Sequence, residues 1–181
     1  MNCPICKTKA LEINELESGL ASYHCKSCEG NWMKSEHYWN WRNKQADNLS
    51  EKPAEESISL KIDDSKGWKY CPDCSRFMFG YKVGHETGFN LDRCSSCGGV
   101  WLDKNEWKVL KSRNLHDEIH FMFSAPWKNK IKREELEKRI DKLIKENLGE
   151  EDYLKVKEIT GWVKEHSKKS EIMAYVNESV K

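Results

Sequence analysis

Long apolar runs are missing from this chain. No unbroken stretch approaches the roughly 18 residues that a membrane-spanning helix needs. An excess of one charge is missing too: 31 Lys and Arg stand against 30 Asp and Glu, a formal net of +1. A bulk positive field drawing the protein onto nucleic acid is thereby excluded, and any such contact must be local. Neither a glycine-rich phosphate loop nor a serine-nucleophile elbow occurs, so the commonest signatures of phosphoryl and acyl transfer are absent. The opening Met1-Asn2-Cys3 has no charged-then-apolar leader, and a reducing cytoplasm is the expected location.

Cysteine is what the chain has in quantity. All 8 fall into four Cys-x-x-Cys pairs, and the pairs repeat. Cys3-Pro4-Ile5-Cys6 is followed after 18 residues by Cys25-Lys26-Ser27-Cys28. Cys71-Pro72-Asp73-Cys74 is followed after 19 by Cys94-Ser95-Ser96-Cys97. Both gaps suit a four-thiolate zinc site. Four thiolates close the coordination sphere and leave no position for substrate, which marks a structural ion. Two Zn²⁺ are expected, held by Cys3, Cys6, Cys25 and Cys28 and by Cys71, Cys74, Cys94 and Cys97. Iron suits the same ligands in a rubredoxin-like centre, and zinc leads because ordinary ribbons use it. Eight thiolates around two dications would turn the net charge slightly negative.

The pattern also sets the architecture. A metal unit of about 30–45 residues buries too little apolar surface to fold unaided, so the metal is its staple. Residues 1–45 and 69–114 form an internal repeat in which Cys25, Cys28, Gly30 and Trp32 map onto Cys94, Cys97, Gly99 and Trp101. Between the pairs, Lys9–Ile13 and Leu20–Tyr23 alternate around Glu17-Ser18-Gly19. Phe77–Val83 and Phe89–Leu91 do the same around Gly84–Gly88. Each is a hairpin that returns the second pair beside the first. A helix follows each hairpin. Asp103 and Glu106 form a capping box ahead of Trp107, Val109 and Leu110, and Ser35 is the expected cap ahead of His37, Tyr38, Trp39 and Trp41.

The predicted fold class is therefore a small metal-stabilised α+β protein. Two tandem zinc ribbons, each a β-hairpin plus a C-terminal helix, precede an all-α tail. The domains are a first ribbon at 1–45, an acidic linker at 46–67, a second ribbon at 68–114 and a helical tail at 115–181. Ile58, Leu60 and Ile62 alternate inside the linker and allow a short strand. In the tail, Ser124 and Pro126 start a helix whose Leu136, Ile140, Leu143 and Ile144 share a face, and Gly149 stops it. A second helix carries Tyr153, Val156, Ile159, Trp162 and Val163, with Gly161 weakening it. A third, from about Ser170, carries Ile172, Met173, Val176 and Val180.

The run Cys94-Ser95-Ser96-Cys97-Gly98-Gly99-Val100-Trp101-Leu102-Asp103, with Glu106 beyond and Cys71-Pro72-Asp73-Cys74 ahead, resembles a bacterial and archaeal family. That family is named for its similarity to the zinc ribbon of transcription factor IIB. The resemblance implies a zinc-binding factor that contacts nucleic acid or protein. The first repeat departs from the pattern: Glu29 replaces a glycine, Asn31 the aliphatic residue, Lys34 the Asp and His37 the Glu. Its four ligands remain.

Two rival chemistries compete with a structural role. A Cys-x-x-Cys pair such as Cys25 and Cys28 serves thiol oxidoreductases. His116 and His120 at i and i+4 share a face if the segment is helical, as in metal hydrolases, but Asp117 stands where the catalytic glutamate of His-Glu-x-x-His would be. The leading expectation is a non-enzymatic adaptor. Its partner is a protein, and nucleic acid is a subordinate reading through Arg76, Lys82, Arg93, Lys104, Lys108, Lys111 and Arg113. The basic run Lys128, Lys130, Lys132 and Arg133 meets Glu134, Glu135 and Glu137 and reads as a solvated helix face. The helical tail is the expected surface for homo-oligomers, and no membrane contact is expected.

Overall fold

Among the described residues a computed structural model has six strands and six helices. It describes every residue except Thr8, 46–59, Lys61, Asp63, Asp64, Lys66, His85, Glu86, Val180 and Lys181. Ile58 of the expected linker strand lies outside the described residues; Leu60 and Ile62 are not in a strand and pack against the core. The chain forms two compact units, Met1–Ile131 and Lys132–Lys181.

In the first repeat, β1 (Glu12–Glu17) and β2 (Leu20–His24) form the expected hairpin, turning at Gly19 with φ of 80°. In the second, β4 (Met78–Lys82) pairs with β5 (Asn90–Cys94). Each repeat adds a short third strand that the hairpin reading lacked, β3 (Asn31–Met33) and β6 (Val100–Leu102). Three residues are too few for an alternation to register in sequence. These strands join the two ribbons. They pair antiparallel with Trp32 opposite Trp101, giving one six-stranded sheet of order β1-β2-β3-β6-β5-β4. Strand order and register are those of two repeats related by a pseudo-twofold axis through the Trp32–Trp101 pair.

The sheet separates two cores by its pleat. On one face Leu20, Met33, Leu91, Val100 and Leu102 meet helices α1 (Ser35–Lys44), α2 (Glu106–Ser112) and α3 (Ile119–Met122). On the other, Trp32, Trp101 and Met78 lie among the cysteines. In α1, Tyr38 and Trp41 are buried while Trp39 stays 42% exposed, as a four-residue aromatic run on a helix demands. Trp41 meets Trp107 of α2 edge to face at 5.9 Å. The expected caps shift slightly. Lys34, not Ser35, is the residue ahead of α1. Asp103 sits two residues before the Asn105 cap of α2, yet its N–H still donates to Glu106 Oε2 at 2.8 Å.

Helix α4 (Ala125–Leu148) starts on the first unit: Ser124 Oγ accepts from Trp127 N–H, and Trp127 Nε1 donates to the Val83 carbonyl. Ile131 rests where a Cβ on Gly84 would be, 2.0 Å from its Cδ1. Beyond Ile131, no described residue of α4, α5 (Glu150–Glu165) or α6 (Lys169–Ser179) is buried. Helix α5 runs through Gly161 unbroken. Among the described residues no helix is long and apolar enough to cross a membrane.

Leu110 is fully buried between the helices and the sheet. Leu110→Ala should cost about 2–5 kcal/mol. Because one sheet joins both ribbons, urea should unfold them in a single transition with a lowered midpoint. Two separated transitions would show that β3–β6 pairing does not couple them.

Candidate metal centres

Each cysteine pair lies on a tight knuckle. The fourth residue after the first cysteine of every pair, Lys7, Glu29, Ser75 and Gly98, has φ between 57° and 73°. Its N–H closes the turn on the carbonyl of Cys3, Cys25, Cys71 or Cys94 at 2.8 to 2.9 Å. Only one of the four is glycine. Turns of this kind aim backbone donors at sulfur: Cys6 N–H points at Cys3 Sγ at 3.3 Å, and Cys74 N–H at Cys71 Sγ at 3.5 Å.

The hairpins then bring the knuckles together in the two expected groups, Cys3, Cys6, Cys25 and Cys28, and Cys71, Cys74, Cys94 and Cys97. Within each group the donor atoms lie within 4.8 Å of one another. Individual edges are 3.6 Å for Cys3–Cys28, 3.9 Å for Cys6–Cys25, 3.5 Å for Cys71–Cys97 and 3.4 Å for Cys74–Cys94. A tetrahedral ion with Zn–S bonds of about 2.3 Å requires edges near 3.8 Å. Disulfides require about 2.05 Å, and all eight cysteines are free. The donor sets fit zinc.

Without an ion the thiols share protons unevenly. Burial pushes Cys3 up to about 11, and Cys28 and Cys71 are raised by burial likewise. Burial also acts against ionisation of Cys25 and Cys94, but backbone N–H groups of the two-residue turn after each, with neighbouring sulfurs, outweigh it and leave both lowered to about 7. Each quartet thus contains a sulfur, Cys25 or Cys94, that ionises more readily than an ordinary thiol. A dication supplies the charge that deprotonates the others.

The two centres are not isolated. Gly30 follows the second knuckle of the first ribbon, and a Cβ there would sit 2.2 Å from Trp101 Cζ2. A Cβ on Gly99 would sit 2.3 Å from Trp32 Cζ2. Each indole therefore lies on the other ribbon's knuckle. The polar contacts differ between the copies. Trp32 Nε1 donates to Asp73 Oδ2 at 3.1 Å, and Lys34 pairs with Asp73 at 3.5 Å. Trp101 Nε1 donates instead to Asp103 Oδ1 of its own ribbon at 2.7 Å. The buried Lys69 ammonium binds Asp103 at 3.2 Å and also Asp92. Lys104 pairs with Glu29 and Lys111 with Glu17, so two of the seven cations considered for nucleic acid tie the ribbons together.

Residues 70–113 match the family model described as transcription factor zinc-finger, the TFIIB zinc ribbon. The match is confined to the second ribbon. No curated protein and no solved structure matches the chain. The first ribbon, which departs from the family pattern at Glu29, Asn31, Lys34 and His37, keeps the sulfur geometry. The two four-cysteine groups are consistent with two zinc ions.

The histidine pair does not assemble. His116 lies in a turn ahead of α3, buried against the indoles of Trp41 and Trp107, each 5.8 Å away. His120, on α3, is 3.0 Å from the Tyr38 hydroxyl through Nδ1. Burial holds both below the usual imidazole range, with Arg42 reinforcing it at His120. Among the described residues only the two cysteine quartets group three or more such ligands. Sequence reasoning missed the crossing of Trp32 and Trp101 between ribbons, although their recurrence after the last ligand, two residues beyond Gly30 and Gly99, was its visible trace.

Trp101→Ala should cost about 3–5 kcal/mol. It should also loosen zinc from both quartets in a chelator competition, because the lost indole covers the first ribbon's knuckle. Weakened retention in the second quartet alone would refute this coupling.

Proposed function

We propose that this protein is a non-enzymatic binding module whose two ribbons, at residues 1–45 and 68–114, are each stapled by a structural zinc ion. Cys3, Cys6, Cys25 and Cys28 hold one ion, and Cys71, Cys74, Cys94 and Cys97 the other. The observation carrying this reading is the closed set of four sulfurs at each centre, which leaves the metal no vertex for a substrate. Residues 46–67 are the linker between the ribbons, and residues 115–181 the helical tail. Eight metal-held thiolates suit a reducing compartment, and we place the protein in the cytoplasm.

Assembly is assigned to the helices beyond Ile131. Leu136, Ile140 and Leu143 on α4 and Trp162 on α5 are all more than 40% exposed. A helical unit without buried residues gains its core from a neighbour, and a second copy offers a matching apolar stripe. Light scattering should give twice the 21.3 kDa chain mass. A stable 21.3 kDa species at micromolar concentration would remove this assignment.

Purified protein should contain two zinc ions, and all eight thiols should resist alkylation until a chelator is added. Chelation should unfold both ribbons, since zinc binding at such sites contributes on the order of 10–16 kcal/mol to folding. Cys25 and Cys28 cycling with a dithiol reductant while zinc is retained would favour an oxidoreductase instead.

A further inference from the structure

Strand β4 is an edge strand, and the helix layer reaches its Tyr81 end but leaves Phe79 exposed. On the face that carries the helices, Phe79 stands opposite Arg93 across the β4–β5 pair. Phe77 and Phe79 meet edge to face at 4.9 Å, and Trp68 and Tyr70 lie 4.8 and 6.3 Å from Phe77. Farther along β4, Tyr81 meets Phe123 at 5.0 Å. These six rings form a strip, not a knob. Its exposure is large: Trp68 is 77% exposed, Tyr70 59% and Phe79 50%. A soluble protein rarely leaves such a run uncovered without a ligand for it.

Charge indicates the kind of ligand. Arg93 lies over the Phe123 ring at 4.9 Å and Lys128 over the Tyr81 ring at 4.4 Å. Among the described residues neither is paired with a carboxylate. The described carboxylates of residues 68–114 are engaged elsewhere. Asp73 holds Trp32 and Lys34, Asp92 and Asp103 hold Lys69, and Glu106 accepts from the Asp103 N–H. The aromatic face therefore joins flat rings to unneutralised cations. A cleft of 110 Å³ opens beside Arg93 on the same face, lined also by Trp39, His120, Phe123 and the Ser35 side chain. Trp39 and His120 are themselves in ring contact at 4.8 Å.

We propose that this strip, from Trp68 through Phe79 and Arg93 to the Trp39 cleft, is a stacking platform for single-stranded nucleic acid. The assignment rests on the binding-module reading above and specifies its ligand. Alternate residues on a strand recur at about 6.6–6.8 Å, a repeat matched to bases splayed along an extended strand. Bases of any identity stack on exposed rings, while cations beside them take the phosphates. A duplex hides its base faces and cannot use the strip. A protein partner would need apolar side chains or carboxylates to meet it, and would not require an open sugar–phosphate strand.

The test is fluorescence anisotropy with labelled dT12, rU12 and a 12-base-pair duplex, using the zinc-loaded full chain. Both single strands should bind in low salt, the duplex much more weakly, and affinity should fall as salt rises. Phe79→Ala and Trp68→Ala, at exposed positions, should each weaken binding about tenfold. Phe79→Trp should restore it, and Arg93→Gln should flatten the salt dependence. Preference between dT12 and rU12 tells DNA from RNA. Equal affinity for duplex, indifference to Phe79→Ala, or no binding by a folded two-zinc protein would overturn the proposal. The last result leaves the binding-module reading standing with a protein as ligand, whereas a protein purified without zinc would defeat that reading as well.

Discussion

The crossing of Trp32 and Trp101 at the β3–β6 junction is the constraint on which the remaining structure depends. Each indole occupies space that exists only because the facing residue is glycine, Gly99 for Trp32 and Gly30 for Trp101. Both rings are fully buried, which adds to the apolar surface that each short ribbon can remove from water. The same pairing aligns two three-stranded sheets into one, and that continuous surface gives α1, α2 and α3 a shared floor. Metal and indole thus divide the labour. Zinc fixes each knuckle locally, and the tryptophans fix the knuckles to each other.

The thiol arrangement follows from the same economy of scale. A quartet that sets one easily ionised sulfur, Cys25 or Cys94, beside one held protonated by burial, Cys28 or Cys71, is poised to accept a dication. Around the second centre, Lys69 is buried with Asp92 and Asp103, and Asp103 also receives the Trp101 N–H and Ser65. Every member of that network has a partner, which is the condition under which buried charge is tolerated.

Much of this was legible in the residues. Thiolate spacing alone located both quartets, because ligand chemistry permits few alternatives. The hairpins emerged from alternation and glycine, and the three tail helices from apolar periodicity, with α5 overriding Gly161 since one glycine costs only about 1 kcal/mol. What could not be read were contacts between repeats. Strands β3 and β6 are three residues long, and their pairing is a tertiary event whose one trace is the recurrence of Gly30-Asn31-Trp32 as Gly99-Val100-Trp101. His116 and His120 share no helix, since His116 lies in a turn before α3 and Leu115 and Ile119 of that segment are buried in the core. The aromatic strip escaped notice because Trp68, Tyr70 and Phe123 reach β4 from separate segments.

The copies differ where they touch. Lys34 occupies the position that Asp103 holds in the other repeat, and Ile5 the position of Asp73. Lys34 meets Asp73 across the axis, so two identical second ribbons brought together the same way would set aspartate against aspartate. The tandem behaves as a heterodimer written into one polypeptide, with mismatched charge discouraging either half from mating with its own kind in a neighbouring molecule.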